Sequence, residues 1–560
     1  MILKGVRLSS PSRPVPDADS AHAQVVRKAG VASLAVAFSR VAGLAREIVF
    51  AGLFGAGLQQ DAFVAAYRIP NLLRDLLAEG ALSAAFVTTY SQTLSTEGKE
   101  EAYALSNRLT TLLVPVLIVI CVLGTVFAPP LVNLMFPGYA EIEGKYELTV
   151  LMTRVMMPFL LLIALAAKAM GVLNSHGKFG IPALSSGFFN ITSVVAGLLL
   201  GFAVGPGLGI EPIVGMAIGT LLGGGVQYIC QIPALRRTGL RFRPMAGFLD
   251  PGVRQLLRLM GPATIGASAV QVNVMVNSMF ASQLAGSAEQ TISGPVSWLA
   301  FAFRFMQLPL GMFGVAVAAV TLPLISRDAS EGRINDFRET LSKSLGLMFL
   351  LTIPSAVGLF ILSRPLVGVV YERGVFTPFD TEQTALALSS YCLGLVGYAS
   401  TKLLAPAFYA LGNVRIPMLV SVMSVVLNFS LNKFFIDTLG LGHWALALST
   451  SLVASLNSVL LFAFMRARIH GVGGRRLLVS AGKIGLASAV MGACCWGLAE
   501  LVESWIGPGT FAGRLAVLVV AVPSGAAVLY ALCRLMRLPE LDFARRAVLA
   551  RISKHAGQET

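Results

Sequence analysis

Long apolar runs, separated by short clusters of glycine, proline and charge, recur from residue 31 to residue 534 of this chain. Each is a candidate transmembrane helix, for which about 20 largely apolar residues suffice. Fourteen spans are predicted, at 31–56, 62–92, 107–128, 148–173, 181–203, 212–235, 259–283, 290–325, 341–362, 383–411, 416–436, 443–465, 484–503 and 513–534. The ten-residue alternation of an outer-membrane barrel is absent. The expected fold is therefore an all-α polytopic membrane protein.

Composition agrees. The 560 residues are 55% hydrophobic and only 13% charged, whereas a soluble domain carries about 25% charged residues. A net charge of +15 would suit a nucleic-acid partner, but its placement says otherwise. With the N-terminus inside, the basic residues collect in internal stretches. Arg236, Arg237, Arg241, Arg243, Arg254 and Arg258 lie in 236–258; Arg466, Arg468, Arg475, Arg476 and Lys483 lie in 466–483. The tail holds Arg534, Arg537, Arg545, Arg546, Arg551 and Lys554, while the external loops hold little beyond Lys145, Arg364 and Arg373. This is the positive-inside asymmetry. It places both termini in the cytoplasm and calls for no nucleic acid.

The chain also repeats itself. "AYR" at 66–68 returns as "AFR" at 302–304, "PLV" at 130–132 returns at 365–367, and "IP" at 181–182 returns at 416–417, at offsets of 236, 235 and 235. Six spans per half is an even number, so both halves enter the membrane the same way round and a substrate path is expected between them. The expected plan is a disordered cytoplasmic extension (1–28) and an N-terminal six-helix lobe (29–236). A basic linker (237–258), a C-terminal six-helix lobe (259–466), two extra transmembrane helices (467–535) and a cytoplasmic tail (536–560) follow. The first stretch has no apolar core of the kind a signal peptide needs.

The polar positions inside the first two spans carry the chemistry. "RIPNLLRDLLAEG" at 68–80 is flanked by apolar sequence on both sides. Arg40, Arg46, Glu47, Arg68, Arg74, Asp75 and Glu79 all fall within these spans, and Asp61 lies at the turn between them. Each charge near a helix centre costs about 2.5–3.5 kcal/mol on insertion scales, so the set is expected to face a hydrated cavity. At 100° per residue, Arg68, Asn71, Asp75 and Glu79 share one narrow face with Arg74 beside it. Ser39, Gly43 and Arg46 share a face of the first span, flanked by Arg40 and Glu47. Pro70 is expected to disturb its helix locally.

Arginine is the informative choice. Its planar fork binds phosphate bidentately and keeps its charge at any depth, which suits an anionic, phosphorylated ligand. Asp61, Asp75 and Glu79 would hold the arginines when the cavity is empty. The second half keeps Arg304 opposite Arg68 in the repeat, but Leu308 to Leu310 stand where Arg74 would fall. The cavity is thus expected to be positive mainly on its N-terminal wall.

Other signals are structural. The five histidines sit in loops or tails without metal-ligand spacing, so no metal is expected. The six cysteines lie in apolar segments and read as packing residues. "GLLLG" at 197–201 and "GMAIG" at 215–219 read as helix-packing motifs. No Walker motif or catalytic constellation is present, so neither an enzyme nor a cofactor is expected.

The segment "SRVAGLAREIVFAGLFGAGLQQDAFVAAYRIPNLLRDLLAEGALSAAFV" at 39–87 closely resembles the N-terminal signature of the MurJ/MviN lipid II flippases. These belong to the superfamily that also holds multidrug exporters and polysaccharide flippases. The resemblance extends from about residue 30 to 535 and includes "LNSHGKFGIPA" at 173–183 and "LPLGMFGVAVAAVTLP" at 308–323. It implies a protein of the bacterial inner membrane that moves lipid II, the undecaprenyl-pyrophosphate-linked disaccharide-pentapeptide, to the outer leaflet by alternating access. Membrane lipids and other cell-wall synthesis proteins are the implied partners. The driving force it implies is an ion gradient (Na⁺ or H⁺) or the membrane potential. The family's cavity arginines correspond to Arg40, Arg46, Arg74 and Arg304, and its polar and acidic partners to Ser39, Asp61, Asn71 and Glu79. The last two spans would form an apolar groove for the polyprenyl tail.

The sequence departs from the family pattern at Gln307, where a glutamate is usual, and lacks the acidic residue just before Arg304. Ion coupling through that position loses its carboxylates here. Ser297 is a further candidate for the cavity lining. A drug/cation antiporter of the same superfamily would want an acidic or aromatic cavity. A polysaccharide-unit flippase would share the pyrophosphate and tolerate the same arginines. An enzyme acting on polyprenyl phosphates would need acidic Mg²⁺ ligands beside them.

Overall fold

The computed structural model describes residues 18–76, 83–247, 250–284, 294–507 and 509–542, without side-chain detail for 18–33, 83–84, 257, 259–263 and 265–267. Among these residues every regular element is helical. The first half comprises α1 (Ala18–Phe54), α2 (Leu58–Arg74), α3 (Ser83–Thr96), α4 (Lys99–Val126), α5 (Ala128–Met135), α6 (Lys145–Met156), α7 (Phe159–Ser175), α8 (Gly180–Leu198), α9 (Pro212–Ile229) and α10 (Ile232–Arg236). The second half comprises α11 (Pro251–Leu284), α12 (Pro295–Pro309), α13 (Val315–Ser330), α14 (Ile334–Ile361), α15 (Ser363–Tyr371), α16 (Pro378–Cys392), α17 (Leu395–Ala410), α18 (Arg415–Lys433) and α19 (Trp444–Arg468). Two further helices, α20 (Gly474–Ile506) and α21 (Phe511–Leu535), follow.

Each expected span coincides with one of these helices or with a broken pair. Ten helical stretches among the described residues are long and apolar enough to cross a membrane. The remaining four expected spans coincide with α1, with α2 and α3, with α11, and with α16 and α17. The first two of these hold the intramembrane charge, which is what lowers their apolarity. The chain is a polytopic all-α membrane protein.

Two local expectations are corrected. The polar stretch read as disordered up to residue 28 is helical from Ala18 and runs unbroken into α1; its alanines, glutamine and lysine are good helix formers, and extending an existing helix needs no new nucleus. The second concerns Lys145, expected in an external loop and found buried. The expected span 62–92 coincides with α2 and α3, and residues 77–82 between them lie outside the described set. Pro70 lies within α2, which continues to Arg74 and passes into a π turn at Asp75–Leu76. Neighbouring helices commonly stabilise such prolines in membrane bundles.

The repeat is visible in the backbone. Helix α4 (Lys99–Val126) and α14 (Ile334–Ile361) start and stop 235 residues apart. The break between Met156 and Phe159 recurs between Cys392 and Leu395, 236 residues on. The π segment that ends α8, Leu199–Ala203, recurs at the end of α18 as Phe434–Thr438. The π turn after Arg74 recurs at Leu310–Gly314. These irregularities recur in the two halves at one offset of 235–236 residues.

The small-residue motifs pack helices, as expected. An added Cβ on Gly215 would lie 2.4 Å from Gly201 Cα, and one on Gly219 would lie 2.4 Å from Gly197 N, so α8 and α9 touch backbone to backbone. Without a hydrophobic drive between helices in lipid, this close approach supplies the dispersion contact that holds them. Helices α20 and α21 pack on each other and on α14 and α15. A 2.6 Å ion pair from Arg514 to Glu372 ties α21 to the turn after α15.

Candidate functional site

The expected charges lie where α1 and α2 of the first half meet α11 and α12 of the second. Successive spans alternate direction, so the turns near residues 56, 137 and 375 share one end of the bundle, the far end. The start of α1 at Ala18 and the end of α21 at Leu535 lie at the other, the terminal end.

Asp61 opens α2 at the far end and is fully buried. Its Oδ2 lies 3.0 Å from Lys145 Nζ, and both side chains have 0% exposure. Its Oδ1 accepts the Ser297 backbone N–H at 2.8 Å. Lys145 also stands over the Tyr139 ring, 4.2 Å from its centroid. Lys145, expected in an external loop, is thus buried as the counter-charge that a buried carboxylate requires. Asp61 and Ser297 are 236 residues apart, so the repeat-equivalent positions touch each other. The pseudo-twofold axis passes between them.

A second contact closes this end. Val375 N–H donates to Gly52 O at 3.0 Å. Gly374 has φ +59°, and a Cβ there would lie 2.1 Å from Gly52 O, so only glycine fits this crossing of α1 by the turn after α15.

The arginines begin deeper. Arg304 Nε pairs with Glu47 Oε1 across the halves at 2.6 Å, and its side chain remains 50% exposed. Tyr371 OH donates to the other oxygen of Glu47 at 3.1 Å. Arg68 Nη1 donates to Ser278 Oγ of α11 at 2.6 Å. Arg74 Nη2 lies 2.9 Å from Asp75 Oδ1, and Asp75 Oδ2 accepts from Gln271 Nε2 at 3.2 Å. Asn71 Oδ1 is buried and has no hydrogen-bond partner.

Arg40 and Arg46 form no ion pair among the described residues. Arg40 is exposed, with its Nη2 about 3.6 Å from where a Cβ on Gly311 would stand. The guanidinium of Arg46 stands 5.3 Å from the Phe189 ring centroid, and Ser39 and Gly43 sit beside Asn190. Gln307 accepts weakly from Arg304 at 3.4 Å. Glu79 lies outside the described residues.

The structure therefore gathers Arg40, Glu47, Arg68, Arg74, Asp75, Arg304 and Gln307 at the seam between the halves, with Asn71 beside them on α2, and sets Ser39 and Arg46 against α8 of the first half. It sets Asp61 and Ser297 apart, in the dry seal at the far end. Helix α1 packs mainly on α8, and α13 packs on α14 and α17. With Arg46, five arginines of the expected set stand against Glu47 and Asp75 among the described side chains, an excess of positive charge.

Comparison with known proteins decides the family. The family model described as lipid II flippase MurJ matches residues 50–516. The chain belongs to the MurJ lipid II flippase family. A Vibrio cholerae relative, described as a probable lipid II flippase MurJ, is 35% identical over 489 residues, covering 86% of this chain and 90% of the relative. A Burkholderia cenocepacia lipid II flippase MurJ is 34% identical over 434 residues, covering 77% and 81%. A solved structure of lipid II flippase MurJ in an inward closed conformation shares the fold, with TM-score 0.71 at 24% identity, covering 90% of this chain and 99% of that one. A multidrug resistance MATE family transporter of the MOP superfamily, inward-facing, has TM-score 0.57 at 16% identity over 79% of this chain and 94% of that chain. Membership makes the chain a multi-pass bacterial membrane protein.

Sequence reasoning missed Lys145, Ser278, Gln271 and Tyr371, each of which bonds an expected site residue. For Lys145 a signal existed: a buried aspartate needs a cation, and few basic residues lie at the far end. For the other three the partner is set by how the halves dock, which no local pattern encodes.

Proposed function

We propose that this chain flips lipid II from the cytoplasmic to the outer leaflet of the bacterial inner membrane, with both termini in the cytoplasm. It does so by alternating access, as a transporter and not an enzyme. The observation that carries the reading is the excess of arginine at the seam. A pyrophosphate entering between α1 and α13 meets Arg40 and Arg46, neither of them ion-paired among the described residues, and Arg304 and Arg74 can turn to it from Glu47 and Asp75. Charge-assisted forks of this kind are the strong, planar contacts that recognise phosphate. A cationic drug would be repelled by the same cavity, which disfavours the antiporter reading.

Alternating access requires the far-end seal to open. The seal consists of few polar links, those of Asp61, Glu47 and Gly52, over a packed seam, so it supports two discrete arrangements. The excess charge also gives the membrane potential a handle, worth about 2.3 kcal/mol per elementary charge per 100 mV. With Gln307 uncharged, an ion gradient would have to act elsewhere.

The test is complementation of bacteria depleted of their own lipid II flippase. Rescue by this chain, but not by Arg74→Ala at matched membrane levels, is the expected result. Failure of a well-inserted parent chain would favour the polysaccharide-unit substrate, to be tried next in cells lacking that flippase.

A further inference from the structure

A second basic site lies away from the seam, at the terminal end of the last two helices. The first three turns of α20 bring Arg475, Arg476, Val479, Ser480 and Lys483 against Leu538 and Pro539, which follow α21. Together they line a cavity of about 480 Å³. Arg475, Arg476 and Lys483 are all exposed, and none of them is ion-paired among the described residues. Lys483 donates only to the Met536 carbonyl, at 3.2 Å.

Neither Glu339 nor Glu540 lines the pocket. Glu339 of α14, the one that senses Arg476, is paired with Lys343 at 2.6 Å. Glu540 is buried and packs against Gly346. Among the described residues that line it, the pocket holds three positive charges and no carboxylate. Its floor is apolar, with Leu538 buried at its base. The first-turn amides of α20 add donors, since its N-cap is Gly473 and supplies no side-chain bond.

The flanks are apolar too. Leu478 is 74% exposed and Leu535 is 78% exposed, and Leu486 and Val490 continue the exposed apolar surface along α20. A free anion would have no use for such walls. A molecule with a phosphate at the pocket and acyl chains along these residues matches both features. Basic pockets between membrane helices at the cytoplasmic side hold anionic lipid head groups in this way.

We propose that Arg475, Arg476 and Lys483 bind the phosphate of an anionic phospholipid, whose acyl chains lie along the outer faces of α20 and α21. The assignment rests on the terminal end meeting the inner leaflet, and it is independent of which substrate the seam carries. A lipid held here would brace α20 and α21 against α14.

The test is native mass spectrometry of the detergent-solubilised full chain, titrated with phosphatidylglycerol and, separately, with phosphatidylethanolamine. Each basic side chain near a membrane surface is worth roughly fivefold in binding. Arg475→Gln, Arg476→Gln and Lys483→Gln together are therefore expected to weaken phosphatidylglycerol binding about a hundredfold. Arg243→Gln, Arg466→Gln and Arg468→Gln together remove the same charge outside the pocket and are expected to leave binding unchanged. Arg475→Lys with Arg476→Lys, which keeps the charge, is expected to retain most of it and guards against misfolding. Equal binding of the two lipids by the parent, or equal loss in pocket and control variants, would overturn the proposal. A third titration uses undecaprenyl pyrophosphate. Pocket-dependent binding of that probe without pocket-dependent binding of phosphatidylglycerol would overturn the phospholipid assignment and give the pocket to the transported lipid.

Discussion

Helices α2 and α12 occupy equivalent places in the two halves, and each runs into a π turn at the same offset in the repeat. Yet α2 carries Arg68, Arg74 and Asp75, where the second half carries Arg304, Leu310 and Gly311. Each sends one arginine across the seam to the first helix of the other half. Arg304 ends on the carboxylate of Glu47, at 2.6 Å, and Arg68 ends on the hydroxyl of Ser278, also at 2.6 Å. The first bond cancels a charge and the second does not. Breaks in a helix follow from how the unit packs and are kept by both copies. Charge on a cavity wall is free to differ between copies, and here it sits mainly on one.

The largest effect is expected where equivalent positions meet. Lys145→Met leaves Asp61 buried without a counter-charge, which costs about 3–5 kcal/mol. Thermal unfolding in detergent is expected to shift well below the parent, with Asp61→Asn added to Lys145→Met recovering most of the loss. An unshifted single variant would mean that the pair is not what holds this end.

Next comes the unequal wall itself. Losing the charge-assisted bonds of Arg74 removes about 1.5–3 kcal/mol of ligand contact, so Arg74→Leu is expected to slow transport tenfold or more. If only total cavity charge mattered, Leu308→Arg, at an exposed position on the opposite wall, would restore it. The expected outcome is no restoration, because Asp75 holds the arginine on α2 through two bonds that an arginine at Leu308 would not have.

The far-end seal gives a smaller effect. Gly374→Ala forces a Cβ into Gly52 O at a backbone angle that favours glycine, a cost of about 1–3 kcal/mol. Thiol labelling of Ala56→Cys, in a background without native cysteines, is expected to speed up as the seal loosens. Least of all, Gln307→Glu places a carboxylate beside Arg304. It is expected to introduce a pH dependence of transport in the carboxylate range that the parent lacks at this position, seen in a pH series of the rate.

The span pattern and the duplication were legible because apolar length and buried charge are local properties. Fourteen spans align with helices for that reason, and the glycine motifs at 197–201 and 215–219 pack as their spacing implies. What was not legible depends on docking. Asp61 reads as a cavity acid from its place at the turn between the first two spans, but Ser297 of the second half and Lys145 of α6 bury it. Pro70 reads as a local disturbance, and α2 passes it to Arg74 before a π turn at Asp75–Leu76. The burial of Asp61 is a case in which tertiary packing overrides a local rule.

The central claim is that the first half's arginines carry the head group. Its most direct test is the initial rate of lipid II translocation in proteoliposomes for Arg74→Leu, Arg304→Gln and Arg74→Leu with Leu308→Arg, at equal reconstitution. The account predicts near-complete loss for Arg74→Leu, a smaller loss for Arg304→Gln, and no recovery from the transplanted arginine. Equal losses for the two single variants, or recovery by Leu308→Arg, would contradict it and make net cavity charge, wherever placed, the working quantity.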